Sequence, residues 1–327
     1  MNLQKNIGLG QYSTFRIGGP AEWFCEAKTR EDLVEAVTWA RQKQLAVHIF
    51  GNGSNTLIAD TGVKGLVIRN SAAKIELVEI KPTPAPKISP RFNLLVPDPN
   101  LQALAYDEDQ YPVVGVKLES GAYLPRAIFS LIAQGITGLE WFAGIPATVG
   151  GATYINLHGA DKFWSDYLVS AEIINPANRV ITVPLDYFQY DYDQSSLIDS
   201  GDLVLSVTLQ LRRGPADQAL KIAKFWQVKK SHQPQRSLGC IFQNLSAAEQ
   251  ARLNLPTPSI GYLIDNRLNL TGLKIGQAWI PERHAGFVEN LGGASSQDVL
   301  QLIKVVRDKA KQQLGLELKL EIVPWLA

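Results

Sequence analysis

Two glycine-rich turns are the segments of this 327-residue chain best suited to holding an anion. The first is Gly51-Asn52-Gly53-Ser54-Asn55; the second is Gly144-Ile145-Pro146-Ala147-Thr148-Val149-Gly150-Gly151. Each follows an apolar stretch. Glycine leaves no Cβ in the way, so several backbone N–H groups in such a turn converge on one point and cradle a phosphate. Two turns of this kind point to a diphosphate held from two sides. The first turn half-matches the Rossmann dinucleotide fingerprint, which also needs a third small residue opening a helix and an acid about 20 residues on. Thr56 stands at that third position, Thr56-Leu57-Ile58-Ala59-Asp60 reads as a strand, and Arg69-Asn70 replace the acid. A Rossmann nicotinamide site is therefore not expected. Ordinary hairpin turns are the alternative reading of either turn alone.

Other chemistry is bounded by composition. Two cysteines, Cys25 and Cys240, without a CxxC, and four histidines, His48, His158, His232 and His284, argue against a disulfide scaffold and against a metal site. Thirty-two basic and 31 acidic residues leave a net charge of +1, so no overall field favours nucleic acid or membrane, and any anion must be bound locally. The N-terminus lacks the apolar core of a signal peptide, and no window of about 18 uncharged apolar residues follows. A reducing cytoplasm is the expected compartment. With 46% hydrophobic residues the chain can bury a substantial core divided into two or three domains.

The elements that must position the turns are partly legible. Thr29-Arg30-Glu31-Asp32 has the form of a capping box, with Leu33, Ala36, Val37 and Ala40 at helical spacing behind it, which predicts a helix over residues 30–44. Strand-like residues 21–25 and 46–50 flank it, giving a small β-α-β unit. Six prolines from Pro82 to Pro99 make residues 80–111 an irregular surface excursion. Residues 124–135 read as a helix stopped by Gly135 that leads to the second turn, residues 168–174, 180–183 and 203–211 as strands, and residues 219–230 as a helix. A final helix over 297–314 is capped by Ser295 or Ser296 and stopped by Gly315. Behind it Leu316, Leu318, Leu320 and Ile322 alternate with Glu317, Lys319 and Glu321, the pattern of a half-buried strand. On that pattern alone Glu321 is a solvated strand residue.

Six motifs in order now carry a resemblance. The runs Ser13-Thr14-Phe15-Arg16-Ile17-Gly18-Gly19-Pro20-Ala21, Gly51-Asn52-Gly53-Ser54-Asn55 and Gly138-Leu139-Glu140-Trp141-Phe142-Ala143-Gly144-Ile145-Pro146 are similar to the UDP-N-acetylenolpyruvylglucosamine reductase family, the MurB flavoenzymes of peptidoglycan synthesis. So are Gly239-Cys240-Ile241-Phe242-Gln243-Asn244, Gly261-Tyr262-Leu263-Ile264-Asp265, and the closing helix with residues 318–321. The resemblance implies an α+β fold: an FAD-binding region of two α/β subdomains of vanillyl-alcohol-oxidase type, then an α+β substrate domain. The implied boundaries are residues 1–70 joined by 307–327, residues 71–213 with the insertion at 80–111, and residues 214–306. It also implies non-covalent FAD, with NADPH and a UDP-sugar using one cleft in turn, in a monomer.

The resemblance places the diphosphate of FAD on Gly51, Asn52, Gly53, Ser54, Asn55 and on Gly144, Ile145, Pro146, Thr148, Val149, Gly150, Gly151. Hydride addition to an enol ether conjugated with a carboxylate leaves an enolate-like anion, so a proton donor and a charge stabiliser are needed. The family's donor is a hydroxyl, and the matching position here is Cys240. A thiol gives up a proton more readily than serine but must stay protonated. Glu321 matches the assisting acid and Asn244 a contact to the substrate diphosphate, to which Lys229 or Lys230 would add charge. Cys25, among apolar residues, reads as core. Where the family carries Tyr-Arg-x-Ser, whose arginine steadies the substrate carboxylate, this chain has Tyr192-Asp193-Gln194-Ser195. Losing such a donor typically costs about 3–4 kcal/mol. Arg16, Arg213, Arg236 and Arg283 are the candidate replacements. Asn156-Leu157-His158-Gly159 also departs from the family pattern, and His158 reads either as a contact to flavin or substrate or as a hydrogen-bonded loop residue. The expected function is NADPH-driven reduction of UDP-N-acetylglucosamine enolpyruvate. The alternatives are a related flavin oxidoreductase with another substrate, a non-catalytic FAD or UDP-sugar binding protein, and an interaction role for the proline-rich excursion.

Overall fold

The computed structural model describes residues 1–82 and 104–326. Residues 83–103 of the expected excursion lie outside the described residues. The chain forms two compact units: Met1–Asn2, Cys25–Gly51 and Ile68–His232 make the first, and Leu3–Phe24, Asn52–Val67 and Gln233–Ala327 the second. The chain thus changes unit after Asn2, inside the strand Pro20–Ala27, within the first glycine turn, inside the strand Val63–Asn70, and after His232.

Unit 1 is built on an antiparallel sheet in the order Val180–Pro184, Leu168–Ile174, Leu203–Arg213, Val113–Glu119, Ile75–Val78, with Ile136–Thr137 paired to the end of Leu203–Arg213. Its long strand alternates, burying Leu205, Val207, Leu209 and Leu211 in the core, which is the period-2 pattern of a sheet covered on one face. Helices Leu124–Ile132, Val149–Ile155 and Ala216–Ser231 add Leu124, Ile128, Val149, Ala152, Ile222 and Trp226 to that core. The helix Arg30–Gln42 starts as expected. Thr29 Oγ1 accepts from the Asp32 N–H at 3.1 Å and Asp32 Oδ2 accepts from the Thr29 N–H at 3.1 Å. Cys25 is 1% exposed and burial pushes its thiol up to about 11, so it is a core residue in this fold. The expected boundary near residue 214 precedes the helix Ala216–Ser231; the units part after that helix, whose apolar stripe is buried in unit 1.

Unit 2 holds a second core of Phe15, Leu57, Phe242, Ile260, Leu263, Val299, Leu302 and Val306. Its main helix, Ser296–Leu314, has Ser295 and Asp298 in a capping box and ends at Gly315 with φ +62°. Val323–Trp325 pairs parallel with Thr56–Ile58. Three two-residue strands, Lys274–Ile275, Ala278–Trp279 and Glu289–Asn290, form a small antiparallel sheet. The alternation read at 316–322 appears in the burial of Leu316, Leu318 and Ile322, but the backbone there makes only an isolated bridge, Phe242 to Leu320. Regular strand pairing begins at Val323 because that is where Thr56–Ile58 offers a partner. Among the described residues no helix is long and apolar enough to cross a membrane.

Candidate active site

In unit 1, Gly51 and the second glycine turn meet. A Cβ on Gly51 would overlap the side chain of Thr148, so only glycine permits the approach. Thr148 caps the helix Val149–Ile155, its Oγ1 accepting from the Gly151 N–H at 3.4 Å. Most amides of this turn serve the fold. Ile145 donates to Phe142 (3.2 Å), Ala147 to Ile145 (2.8 Å), Val149 to Ala122 (3.0 Å) and Gly150 to Ser120 (2.7 Å). The turn is seated on the helix Ala216–Ser231: Gly144 has φ +88°, and a Cβ there would stand 3.1 Å from Lys230 Cβ and from Gln227 Cα. Lys230 therefore backs the turn. Lys229 is exposed, with its ammonium 5.0 Å from the Trp226 ring centroid, a cation–π contact.

The helix Val149–Ile155 carries a second group. Tyr190 Oη donates to the Thr153 carbonyl (2.8 Å), Ser195 Oγ to the Tyr154 carbonyl (2.5 Å), and Asn156 Nδ2 to the Asp191 carbonyl (3.2 Å). These bonds fasten the 190–195 turn and fix Asp193, which has φ +50°. His158 lies on a short hairpin in which it pairs with Phe163. Its Nε2 is 3.6 Å from Asp193 Oδ1, and its ring stacks on Tyr192 at 4.9 Å and 27°. Burial pushes the Asp193 carboxyl up to about 7. Burial, then the nearby Lys230 charge, pulls His158 down to about 4. Mutual attraction moves such a pair the opposite way in water; here removal of both groups from solvent outweighs it.

In unit 2, residues 52–55 run beside the 13–19 segment. Ser13 Oγ and the Thr14 N–H donate to the Gly53 carbonyl at 3.2 and 3.3 Å. Among the described residues no acceptor takes the N–H of Gly53, Ser54 or Asn55. Three N–H groups so placed fit an anionic diphosphate. Asn55 Nδ2 donates to the Glu321 carbonyl (3.2 Å), and the Val323 N–H donates to the Asn55 carbonyl (2.8 Å). The Glu321 N–H in turn donates to the Ile241 carbonyl at 2.9 Å, and the Gln243 N–H to the Lys319 carbonyl at 3.0 Å. On its other side the Ile241 N–H donates to Gly286 (2.9 Å), and Cys240 bridges Phe287. Cys240 and Glu321, both half-buried, are thereby set on adjoining paired backbone.

The sequence profile described as UDP-N-acetylenolpyruvoylglucosamine reductase, C-terminal domain, matches residues 231–325, and that of an FAD binding domain matches residues 21–83. The UDP-N-acetylenolpyruvoylglucosamine reductase of Synechococcus sp. (strain JA-3-3Ab) is 32% identical over 328 residues, spanning 98% of this chain and 90% of that protein. The chain belongs to the UDP-N-acetylenolpyruvoylglucosamine reductase family. The family member from Chlamydia felis (strain Fe/C-56) is 30% identical over 328 residues, with 99% and 95% coverage. The crystal structure of the Thermus caldophilus reductase, at 28% identity, matches over 100% of both chains with a TM-score of 0.72. The α+β fold is thus the family's.

Against the family pattern, the remaining site residues fall as follows. Asn244 Oδ1 accepts the Ile260 N–H at 3.0 Å, which orients its amide. Arg16 is exposed, with φ +60° and its guanidinium donating to the Gln11 carbonyl (2.7 Å). Arg283 is paired with Glu289 at 2.5 and 2.7 Å, which neutralises it as a replacement for the missing arginine. Sequence reasoning missed Asn290, whose Nδ2 donates to the Phe15 carbonyl (2.9 Å), and Thr14, whose Oγ1 donates to the Ser237 carbonyl (2.8 Å). Both are buried or half-buried polar residues whose partners lie far away in the chain, so no local pattern in the sequence marks them.

Proposed function

We infer that this chain is an FAD-dependent reductase that uses NADPH to convert UDP-N-acetylglucosamine enolpyruvate to UDP-N-acetylmuramate, a step in peptidoglycan precursor synthesis. The observation that supports the reading is the Glu321–Ile241 backbone bond, which pairs the Glu321 segment with the Cys240 segment within the residues matching the family's C-terminal domain. Bound FAD supplies hydride transfer, from NADPH to the enolpyruvyl double bond. Reduction is complete only when a proton reaches the carbon beside the substrate carboxylate. Cys240 holds that proton, and Glu321 assists as charge develops there. Asn244 contacts the substrate diphosphate through its amide nitrogen. Lys230 is favoured over Lys229 for added charge, because Lys230 backs the Gly144 turn while Lys229 lies over Trp226.

For FAD itself, the N–H groups of Gly53, Ser54 and Asn55 are the best-suited diphosphate ligands in unit 2. In unit 1, Gly51, Gly144, Pro146 and Thr148 line the cofactor by close approach. Ile145, Val149, Gly150 and Gly151 hold the turn's shape, since their N–H groups are already bonded. The reading takes the enzyme to be a cytoplasmic monomer, which sedimentation and cell fractionation test. The activity is tested by anaerobic NADPH oxidation with flavin-loaded protein, with and without the enolpyruvyl nucleotide. Oxidation that requires the nucleotide and yields UDP-N-acetylmuramate is the expected result. Flavin reduction with no transfer to this nucleotide contradicts it.

A further inference from the structure

The insertion read at residues 80–111 rejoins the unit 1 sheet through a stem of residues 104–112. Asp107 caps the single turn Glu108–Gln110, its Oδ1 accepting from the Asp109 N–H at 3.1 Å. Side chains along the stem find separate partners. Tyr106 Oη donates to Glu140 Oε1. Glu108 Oε1 accepts from Tyr167 Oη at 3.2 Å and lies 3.2 Å from Lys162 Nζ. Asp109 Oδ1 accepts from Arg212 Nη2 at 2.5 Å, and the Pro112 carbonyl accepts the Arg213 N–H at 2.8 Å. Leu104 and Tyr106 also pack against the unit 1 core.

Two of these contacts meet at Gly138, where the chain approaches the second glycine turn. Glu140 is 0% exposed, and its Oε2 accepts the Gly138 N–H at 2.7 Å. Tyr167, the partner of Glu108, packs on the same glycine: φ there is +127°, and a Cβ would stand 3.1 Å from Tyr167 Cε1. From this point the backbone is held bond by bond into the turn. The Phe142 N–H donates to Leu139 (3.0 Å), Ala143 to Glu140 (3.2 Å) and Ile145 to Phe142 (3.2 Å). A carboxyl buried this deeply destabilises a fold unless donors reach it. The side-chain donor to Glu140 is Tyr106, which the insertion supplies. Burial, then the neighbouring carboxyl, pushes the Tyr106 phenol well above its ordinary value, so it stays a donor.

We propose that the stem of the insertion braces the second glycine turn, with Tyr106 as the positioning residue that sets the turn for FAD. The proposal rests on the reading that this turn holds the cofactor. Tyr106 acts through Glu140 and Gly138 and touches no reacting atom. A turn fixed before the cofactor arrives gives up less conformational freedom on binding, so FAD is held more tightly. The coupling is reciprocal: bound FAD holds the stem more firmly in turn.

The test is FAD release from the flavin-loaded protein on dilution, followed by flavin fluorescence well below the melting temperature, where every protein compared is folded. A loss of stability alone leaves the Kd of folded protein unchanged. Tyr106→Phe keeps the ring and removes the donor, and its Kd for FAD is expected to rise about tenfold, the equivalent of one lost hydrogen bond. Glu108→Gln reads the same brace through its contact with Tyr167 and is expected to give a smaller rise, which keeps the test in force where Tyr106→Phe yields no folded protein. Tyr187→Phe is the control: it removes a tyrosine–carboxylate bond of the same kind, to Asp202 Oδ2 at 2.7 Å, elsewhere in unit 1, and is expected to leave Kd unchanged. An unchanged Kd in both Tyr106→Phe and Glu108→Gln overturns the brace, as does an equal rise in Tyr187→Phe. Where Gly51→Ala still raises Kd in that case, the turn stands as the cofactor site; an unchanged Kd in Gly51→Ala overturns that reading together with the brace.

Discussion

The Glu321 N–H donates to the Ile241 carbonyl at 2.9 Å, so the carboxylic acid and the thiol of Cys240 stand one residue out of step on paired backbone. The neighbouring Phe242 to Leu320 bridge and the Ile241 to Gly286 bond hold the Cys240 segment from both sides. Groups mounted on paired backbone hold their spacing better than groups on loop tips, which suits the roles proposed for Cys240 and Glu321.

Cys240→Ala removes the proposed proton donor; Cys240 is half-buried and packs against the unit 2 core, so a small loss of stability accompanies the change. The variant is expected to be reduced by NADPH at the normal rate and to transfer to the enolpyruvyl nucleotide about 10²–10⁴-fold more slowly. Stopped-flow measurement of the two half-reactions separates these effects. Cys240→Ser restores part of the second half-reaction.

Asn55 links the first glycine turn to the Glu321 backbone through its 3.2 Å bond. Asn55→Ala is expected to lower stability by about 1 kcal/mol. It also loosens Glu321, reducing kcat by about ten- to a hundredfold. Thermal melts and steady-state kinetics check the two parts separately.

Gly51→Ala forces a methyl group into the Thr148 side chain. The overpacking costs about 1–3 kcal/mol and displaces the turn proposed to hold the cofactor. The purified variant should carry less FAD per chain than the original protein, measured by the flavin-to-protein absorbance ratio.

Local signals account for what was legible. The capping boxes at Thr29 and Ser295 and the glycine stop at Gly315 are written within four residues of the ends they mark, so the helices they bound could be placed from sequence. Cys240 and Glu321 could be nominated only by resemblance, because their proximity comes from long-range pairing that no periodicity encodes. The pair of His158 with Asp193 was hidden for the same reason: each stood out as a departure from a family pattern, and only the fold brings them to 3.6 Å. In the second turn, sequence predicts converging amides, yet the glycine at 150 serves a close approach to Ser120, with its N–H bonded there. Between Lys229 and Lys230, helical phase does not choose, since the buried stripe through Ala219, Ile222, Ala223 and Trp226 passes between them.

The same pair sets an unusual pH dependence of stability. Asp193 has its folded value raised to about 7, so its contribution is full below the ordinary carboxylate value and is lost as pH rises toward 7. His158 is lowered to about 4, so its contribution is present above the ordinary imidazole value and lost as pH falls toward 4. Between about pH 4 and about pH 6.5 the two slopes oppose and cancel, since folded and unfolded chains each hold one proton on these groups. Asp193→Asn removes one slope. Relative to the original protein, its stability should then fall with decreasing pH below about 6.5, by on the order of 1 kcal/mol per pH unit. Melting temperature against pH for both proteins measures the difference, and parallel curves would count against the pairing.

The most direct test of the central claim is a single turnover without oxygen. The flavin-loaded protein is reduced with one equivalent of NADPH, mixed with UDP-N-acetylglucosamine enolpyruvate, and followed by the return of the oxidised-flavin absorbance together with the nucleotide product. The account predicts that absorbance returns in step with UDP-N-acetylmuramate in the original protein and stays bleached in Cys240→Ala. Reduced flavin that persists in the original protein with saturating nucleotide present would contradict it.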